Sequence, residues 1–259
     1  VGGPIRRDKL WFFATARYNV AQNYLAGLFR NKNHADSSKW VYEADPSEQI
    51  FNGTNGRSEG LRLTWQATPR NKFALAHQDA YQCFCPDQSP TTARESSTNT
   101  ELWPQSTTTL DWSAPVTNRL LLVAGVLTKP DRYGFRPTVD YAGLIGVTEL
   151  VPVGSNPATY RGRTNFDWRQ NPLARVRFEA TYVAGPHALK VGFADTFGHR
   201  VNPFDTPAYP YTYTFNQGVP VQITESAVEG TGATDRMKYD AGIYAQDRWT
   251  LRRLTLNGG

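Results

Sequence analysis

The connections between the strand-like runs of this chain alternate strictly between short and long. The runs occupy residues 9–19, 57–68, 72–82, 99–113, 119–129, 174–184 and 188–199, and 237–256 adds one more run, a tight turn and the opening of another. The short connections are 69–71, 115–118, 185–187 and Arg252-Arg253, and the long ones are 20–56, 83–98, 130–172 and 200–236. In an up-and-down antiparallel meander, all connections of one parity fall at the same end. One end therefore carries only tight turns and the other only long loops. A soluble sandwich has no reason to segregate loop length in this way, because both its ends meet the same water. A sheet whose ends lie in different compartments does.

Side-chain alternation agrees. Leu61, Leu63 and Trp65 share one face of their run, with Arg62, Thr64 and Gln66 on the other; Val176, Phe178, Ala180 and Tyr182 likewise oppose Arg175, Arg177, Glu179 and Thr181. Thr108, Leu110 and Trp112 oppose Thr107, Thr109 and Asp111, whereas 119–129 is apolar on both faces and cannot be assigned. Runs of about 11–14 residues exceed the globular average of about 5–6 and suit a tilted spanning strand of about 9–11. Trp11, Trp65, Phe73, Trp112, Tyr182 and Trp249 all fall near the short-turn end, at the level where a headgroup interface favours aromatic rings. The expected fold is all-β: an antiparallel up-and-down transmembrane barrel of about eight strands plus the start of a ninth, with short periplasmic turns and long extracellular loops.

Composition removes other classes. An apolar fraction of 39% and a mean hydropathy of −0.53 rule out a helical membrane protein, and the longest apolar run, 120–127, falls far short of the roughly 20 residues a spanning helix needs. A barrel escapes that test because only every second residue meets lipid. The net charge of +5 comes from scattered Lys and Arg interleaved with 23 acidic residues, which gives no basic block for nucleic acid. The start at Val-Gly-Gly-Pro and the stop at Asn257-Gly258-Gly259, a few residues into a strand, read as cuts, so the chain is expected to be an internal fragment.

Ile243-Tyr244-Ala245-Gln246-Asp247-Arg248-Trp249, the tight turn, and Leu254-Thr255-Leu256-Asn257-Gly258-Gly259 together resemble the recurring strand–turn–strand of TonB-dependent outer-membrane receptors. Gly2-Gly3-Pro4-Ile5-Arg6-Arg7-Asp8-Lys9-Leu10-Trp11-Phe12-Phe13 is similar to the entry into the barrel in the Oar-like branch of that family. The two matches bracket almost the whole chain. The resemblance implies a 22-stranded barrel plugged by an N-terminal domain, residence in the bacterial outer membrane, and uptake of a scarce solute when TonB pulls on the plug. Residues 1–259 would be part of the barrel domain, without the plug or the remaining strands. The implied partners are outer-membrane lipid, the TonB complex through that plug, and a small solute, siderophore, oligosaccharide or peptide.

Catalytic, cofactor and metal residues are expected to be absent. His34, His77, His187 and His199 share no ligand spacing, no glycine loop precedes a helix, and no nucleophile elbow occurs. Glu43, Asp45 and Glu48 read as a solvated acidic patch rather than a calcium site. Asn52-Gly53-Thr54 matches a glycosylation sequon, a triplet common by chance. Cys83 and Cys85 are either a local disulfide or incidental loop residues. Tyr209, Tyr211, Tyr213 and Phe215 read as cross-strand aromatics of a loop hairpin, with a sugar or siderophore platform as the sharper alternative.

The lumen-facing residues Arg62, Gln66, Arg175, Arg177 and Glu179 are expected to line the path or contact the plug. A soluble carbohydrate-binding module or propeller-type glycoside hydrolase is the competing reading. It requires a closed apolar core between sheets and paired carboxylates in one cleft. A porin or adhesin without energy coupling is a third. His77, Asp79, Asp195 and Asp247 fit the barrel badly, since each shares a face with apolar residues. Met237 is expected at the outer end of the last complete strand, with Tyr244, Gln246 and Arg248 facing the lumen. An isolated sheet of this kind is expected to fold poorly, because its unpaired edges leave N–H and C=O groups without partners.

Overall fold

The structure is a computed structural model and describes residues 1–163, 166–202, 204–205, 209–226 and 232–259. Its strands are, in chain order, β1 (Gly2–Arg6), β2 (Leu10–Asn31), β3 (Ala44–Thr68), β4 (Asn71–Asp87), β5 (Thr98–Gln105), β6 (Thr107–Pro115), β7 (Leu120–Lys129), β8 (Asp131–Pro137), β9 (Gly146–Glu149) and β10 (Thr159–Tyr160). They continue as β11 (Phe166–Gln170), β12 (Leu173–Ala184), β13 (His187–Asn202), β14 (Phe204–Asp205), β15 (Tyr211–Asn216), β16 (Val219–Glu225), β17 (Ala233–Arg236), β18 (Ala241–Leu251) and β19 (Leu254–Gly258). Among the described residues a single 3-10 turn, Arg94–Ser96, interrupts them.

Sequence neighbours pair antiparallel throughout the main sheet, as the loop parity requires. Several of its strands are interrupted along their length. β5 runs on into β6 through a one-residue register slip against β4, where Gln82 faces Leu102 but Gln78 faces Thr107. β8 continues β7, and β11 continues β12, with the register kept across Pro130 and Pro172. The tight turns have local causes. Gly185 takes φ 58° ahead of Pro186, the arrangement a two-residue hairpin with glycine first requires. Thr68 Oγ1 accepts from the amides of Arg70 and Asn71 at 3.3 and 3.1 Å, and Thr117 Oγ1 does the same for Arg119 and Leu120 at 3.1 and 3.0 Å.

The register fixes two faces. Leu63, Leu75, Leu110, Val126 and Val176 follow one another across five strands, and beside them run Trp65, Phe73, Trp112, Ala124, Phe178, Phe193 and Ile243. This apolar face is largely uncovered: Leu110 is 47% exposed and Ile243 85%. The polar face carries Arg62, Ala76, Thr109, Leu127, Arg175 and Thr196 in one such row. The run at 119–129 can now be assigned, with Leu120, Leu122, Ala124 and Val126 on the apolar face and Leu121, Val123, Gly125 and Leu127 on the polar one.

Several boundaries differ from the sequence reading. Gly2-Gly3-Pro4, a turn by its residue types, belongs to a strand, β1, and the turn lies at Arg7-Asp8-Lys9, with Asp8 at φ 61°. The stretches 20–56 and 83–98 are mostly not loops, because β2, β3 and β4 extend 22, 25 and 17 residues and leave only 32–43 and 88–97 between them. Residues 39–43, whose composition allows a short strand inside a loop, form no strand. Residues 159–168, expected from the sequence to pair as strands above the main sheet, divide: residues 164–165 lie outside the described set, β10 pairs with β9 in a second sheet, and β11 belongs to the main sheet. Residues 237–240 precede β18 as irregular chain, so Met237 is not in a strand. Trp11 sits at the expected level but pairs with Thr64, which puts it on the polar face rather than in the aromatic girdle.

The misfit residues mostly find partners. Asp247 holds His187 at 2.6 Å, and the imidazole stacks on Trp249 at 5.6 Å, all beside a tight turn. His77 bonds Thr108 Oγ1 across the strand at 2.8 Å. Asp79 stands opposite Glu59, beyond the apolar stretch. Asp195 keeps an unpartnered Oδ1 in an unbroken register, so no bulge turns it away; nothing in the structure explains it.

Candidate functional site

Two groups of side chains stand out, one on the polar face and one above the sheet. On the polar face, Arg177 reaches from β12 across Gly125 of β7 to Asp111 of β6 at 2.7 Å and lies 3.9 Å from Glu179. Lys190 of β13 closes on Glu179 at 2.7 Å and lies 5.8 Å from the ring of Tyr244 on β18. Asp111, Arg177, Glu179 and Tyr244, with Arg175 and Thr109, line a cavity of 320 Å³, and Lys190 stands beside it. Glycine is needed twice. A Cβ at Gly125 would stand 2.7 Å from Asp111 Oδ1 and 2.8 Å from Arg177 Nε, and one at Gly192 would overlap the Tyr244 ring.

The expected lumen residues are thus only partly brought together. Arg175, Arg177 and Glu179 meet here. Arg62 lines a separate cavity of 270 Å³ with Thr15, Gln78 and Thr107, and Gln66 clasps the turn carbonyls of Thr68 and Asn71 at 2.8 and 3.4 Å. Tyr244 does face the cavity, as its register against Gly192 requires. Lys190 and the two glycines escaped the sequence reading; glycine inside a run was the available signal. Gly192→Ala should destabilise the wall by about 1–3 kcal/mol through overpacking, and Tyr244→Ala in the same chain should recover most of the loss. Urea unfolding of the two variants and the single Tyr244→Ala chain measures this.

Above the long-loop end, the buried side chains gather into a cap. The strands β10, β9, β15 and β16 form a second sheet, in which β15 pairs with β9 in parallel. Tyr42, Ala93, Val147, Tyr160 and Phe215 form its core, with Trp40 and Tyr213 packed against it. Arg161, only 4% exposed, holds φ 75° and donates to three carbonyls: Nε to Lys39 at 3.0 Å, Nη1 to Ile145 at 2.9 Å and Nη2 to Ser37 at 2.7 Å. Its guanidinium lies 3.7 Å over the Trp40 ring. Burial lowers its pKa, with Asp36 acting the other way.

Glu95, fully buried, accepts from Asn31 Nδ2 at 2.7 Å and from the Arg161 amide at 3.0 Å. Asp140 bridges Arg30 at 2.7 Å and Arg94 at 3.1 Å, and these three line a small cleft of 140 Å³ with Glu48. Tyr160 donates to Glu149 at 3.1 Å and to the Trp40 carbonyl at 3.3 Å. Burial first, and the charge of Glu149 second, push its phenol well above the ordinary tyrosine value. Because the folded pKa is raised, the stability held by the neutral phenol is complete below the unfolded value of about 10 and is lost as pH rises through the folded value. The cap should therefore loosen on alkalisation, with Tyr160 ionising after the exposed tyrosines. Absorbance titration of native protein against Tyr160→Phe measures the order.

The remaining candidates resolve plainly. Tyr211, Tyr213 and Phe215 lie in the β15–β16 hairpin, as expected of a loop hairpin. Phe215 is 4% exposed, and it and Tyr213 pack on Trp40 at 6.3 and 5.2 Å, so these two rings face the cap core; Tyr209 is exposed. Glu43 pairs with Lys32 at 3.1 Å, Glu48 with Arg30 at 2.9 Å, and Asp45 accepts from the amide and hydroxyl of Ser47, so the acidic patch is dispersed. Among the described residues, the group closest to metal-ligand spacing is Cys83, Cys85 and Glu101. The two sulfurs are bonded to each other there, which removes both thiolates.

No family profile matches this sequence, and no curated protein does so either. The fold does have a solved counterpart. The outer-membrane transporter YddB from Escherichia coli superposes with a TM-score of 0.60 over 99% of this chain at 13% identity. The fold is that of an outer-membrane transporter barrel. The chain spans 32% of the YddB chain. In that frame the apolar face is the outer wall of the barrel and the polar face its inner wall.

Proposed function

We propose that the chain is a section of an outer-membrane, TonB-dependent receptor of the Oar-like kind, taking up a solute from the external medium. The observation that carries this reading is the separation of the sheet's two faces below a built cap. A single-layered wall is apolar on the outside and charged on the inside, and the folded core sits at the long-loop end. A soluble binding module or glycoside hydrolase would instead place its buried residues between two sheets.

The inner-wall network of Asp111, Arg177, Glu179 and Lys190 is internally paired, which suits a fixed surface against which a plug can seat. The cap supplies the surface that meets the solute first, whether siderophore, oligosaccharide or peptide, and the wall meets lipid. Catalysis has no place in this reading. Expression of the complete reading frame, followed by fractionation, should place the protein in the outer membrane, extractable only by detergent. Loss of TonB should abolish uptake. Recovery as a soluble periplasmic protein would falsify the membrane reading, and undiminished uptake without TonB would reduce the protein to a porin.

A further inference from the structure

The apolar face ends abruptly along one line. On β7, β12 and β13 its residues run upward through Val126, Val176 and Phe193 to Thr128, Ala174 and Phe197. Phe197 stands about ten residues above His187. At about 3.3 Å per residue and a tilt of about 40°, that is a climb of roughly 25 Å, the height of the lipid-facing band of such barrels. The next row on the same face is Pro130, Pro172, His199 and Arg236: the register sets the two prolines opposite each other, and His199 pairs with Arg236. Neither proline has an N–H to give the ladder there. A cavity of 580 Å³ opens at this line, lined by Phe197, Leu173, Met237, Lys129, His199 and Arg236 among others.

Above it the face turns cationic and aromatic. Trp168 lies flat across Gly134, where a Cβ would overlap its ring, with Arg132 at 5.4 Å and Arg136 at 4.3 Å from the ring centroid. Among the described residues, acidic groups are few nearby. Asp131 is held by Lys129 at 3.4 Å and by Gln105, Glu101 faces Gly134 from β5, and Asp235 pairs with Arg200 on the opposite face. Asp195 lies on the same face two residues below Phe197, roughly 13 Å along the strand from His199. Arg132 and Arg236 are about three interstrand spacings apart, roughly 14 Å, which separates them into two anion positions.

We propose that this corner of the outer wall binds the phosphorylated headgroup of an outer-leaflet glycolipid of the lipid A type. One phosphate sits at Arg132 beside Trp168, a second at Arg236 and His199, and the acyl chains lie down Phe197, Ala174 and Val176. The charge complementarity, the level of the cavity and the apolar wall beneath it select a lipid over a free anion. The inference rests on the apolar face being the one that meets lipid.

The test uses the complete receptor purified in detergent, with glycolipid retained after extensive washing quantified by mass spectrometry. Wild-type receptor offered bisphosphorylated lipid A should retain about tenfold more than an Arg132→Gln, Arg236→Gln double variant, and also about tenfold more than when offered dephosphorylated lipid A. The dephosphorylated ligand keeps the comparison decisive if the variant folds poorly. Equal retention in both comparisons overturns the proposal, as does complete displacement of the lipid by inorganic phosphate. Heat-modifiable migration on electrophoresis separates the two readings: a heat-modifiable receptor without lipid defeats this inference alone, whereas a receptor that never forms a detergent-stable barrel defeats both.

Discussion

Leu110→Arg should sharply reduce the fraction of complete receptor that folds into lipid vesicles, whereas Thr109→Arg, one residue away, should fold like wild type. Leu110 lies on the apolar face between Leu75 and Val126, half-way up its strand, and Thr109 lies on the polar face between Ala76 and Leu127. An arginine near the bilayer midplane costs about 2–4 kcal/mol, which lowers the folding equilibrium constant at least about thirtyfold. The same side chain pointing into the lumen keeps its hydration and meets Asp111 on the same strand. Urea titration of folding into vesicles reads both. If the two variants behave alike, the assignment of faces is wrong, and with it the meaning of the loop parity.

The second large effect is expected far from the membrane. Arg161→Ala removes the donor to three backbone carbonyls belonging to two other segments, and also the cation resting on Trp40. Charge-assisted hydrogen bonds contribute about 1.5–3 kcal/mol each, and three are lost together with the contact to Trp40, so local opening of the cap should become easier by about 3–5 kcal/mol. Residues 32–43 and the β9–β10 region should lose hydrogen-exchange protection by two orders of magnitude or more. Strands β12 and β13, held by their own ladder, should not change. Arg161→Lys cannot rescue the cap, because one ammonium does not reach three divergent carbonyls. Uniform loss of protection through the wall would mean that the cap and barrel unfold as one unit.

What could be read from the residues follows the solvent. Where the sheet is apolar on one side and polar on the other, alternation is enforced, and Leu61, Leu63 and Trp65 against Arg62, Thr64 and Gln66 announce both the strand and its faces. Above the apolar band, both faces of β2 and β3 meet polar surroundings. Gln22, Asn23, Asn52 and Asn55 then carry a continuous ladder with no period to reveal it. The same loss hid β1, where two glycines and a proline look like a turn although their backbone pairs with Trp11, Phe12 and Phe13. The cap was least legible. Its core draws single residues such as Tyr42, Ala93, Val147 and Phe215 from separate loops, and Arg161 and Glu95 act through backbone groups that carry no sequence signature.

Because Arg161 bonds to a carbonyl 124 positions away and Tyr160 to one 120 away, the long connections of this chain are not independent modules. A change in residues 37–40 is felt at once at 145 and at 160–161. Such loops are coupled as a set: altering one strands the partners it held in the others. Grafting one long loop between barrels of this build should fail for the same reason, whereas moving the whole cap onto a compatible rim of strands should carry its mutual contacts along.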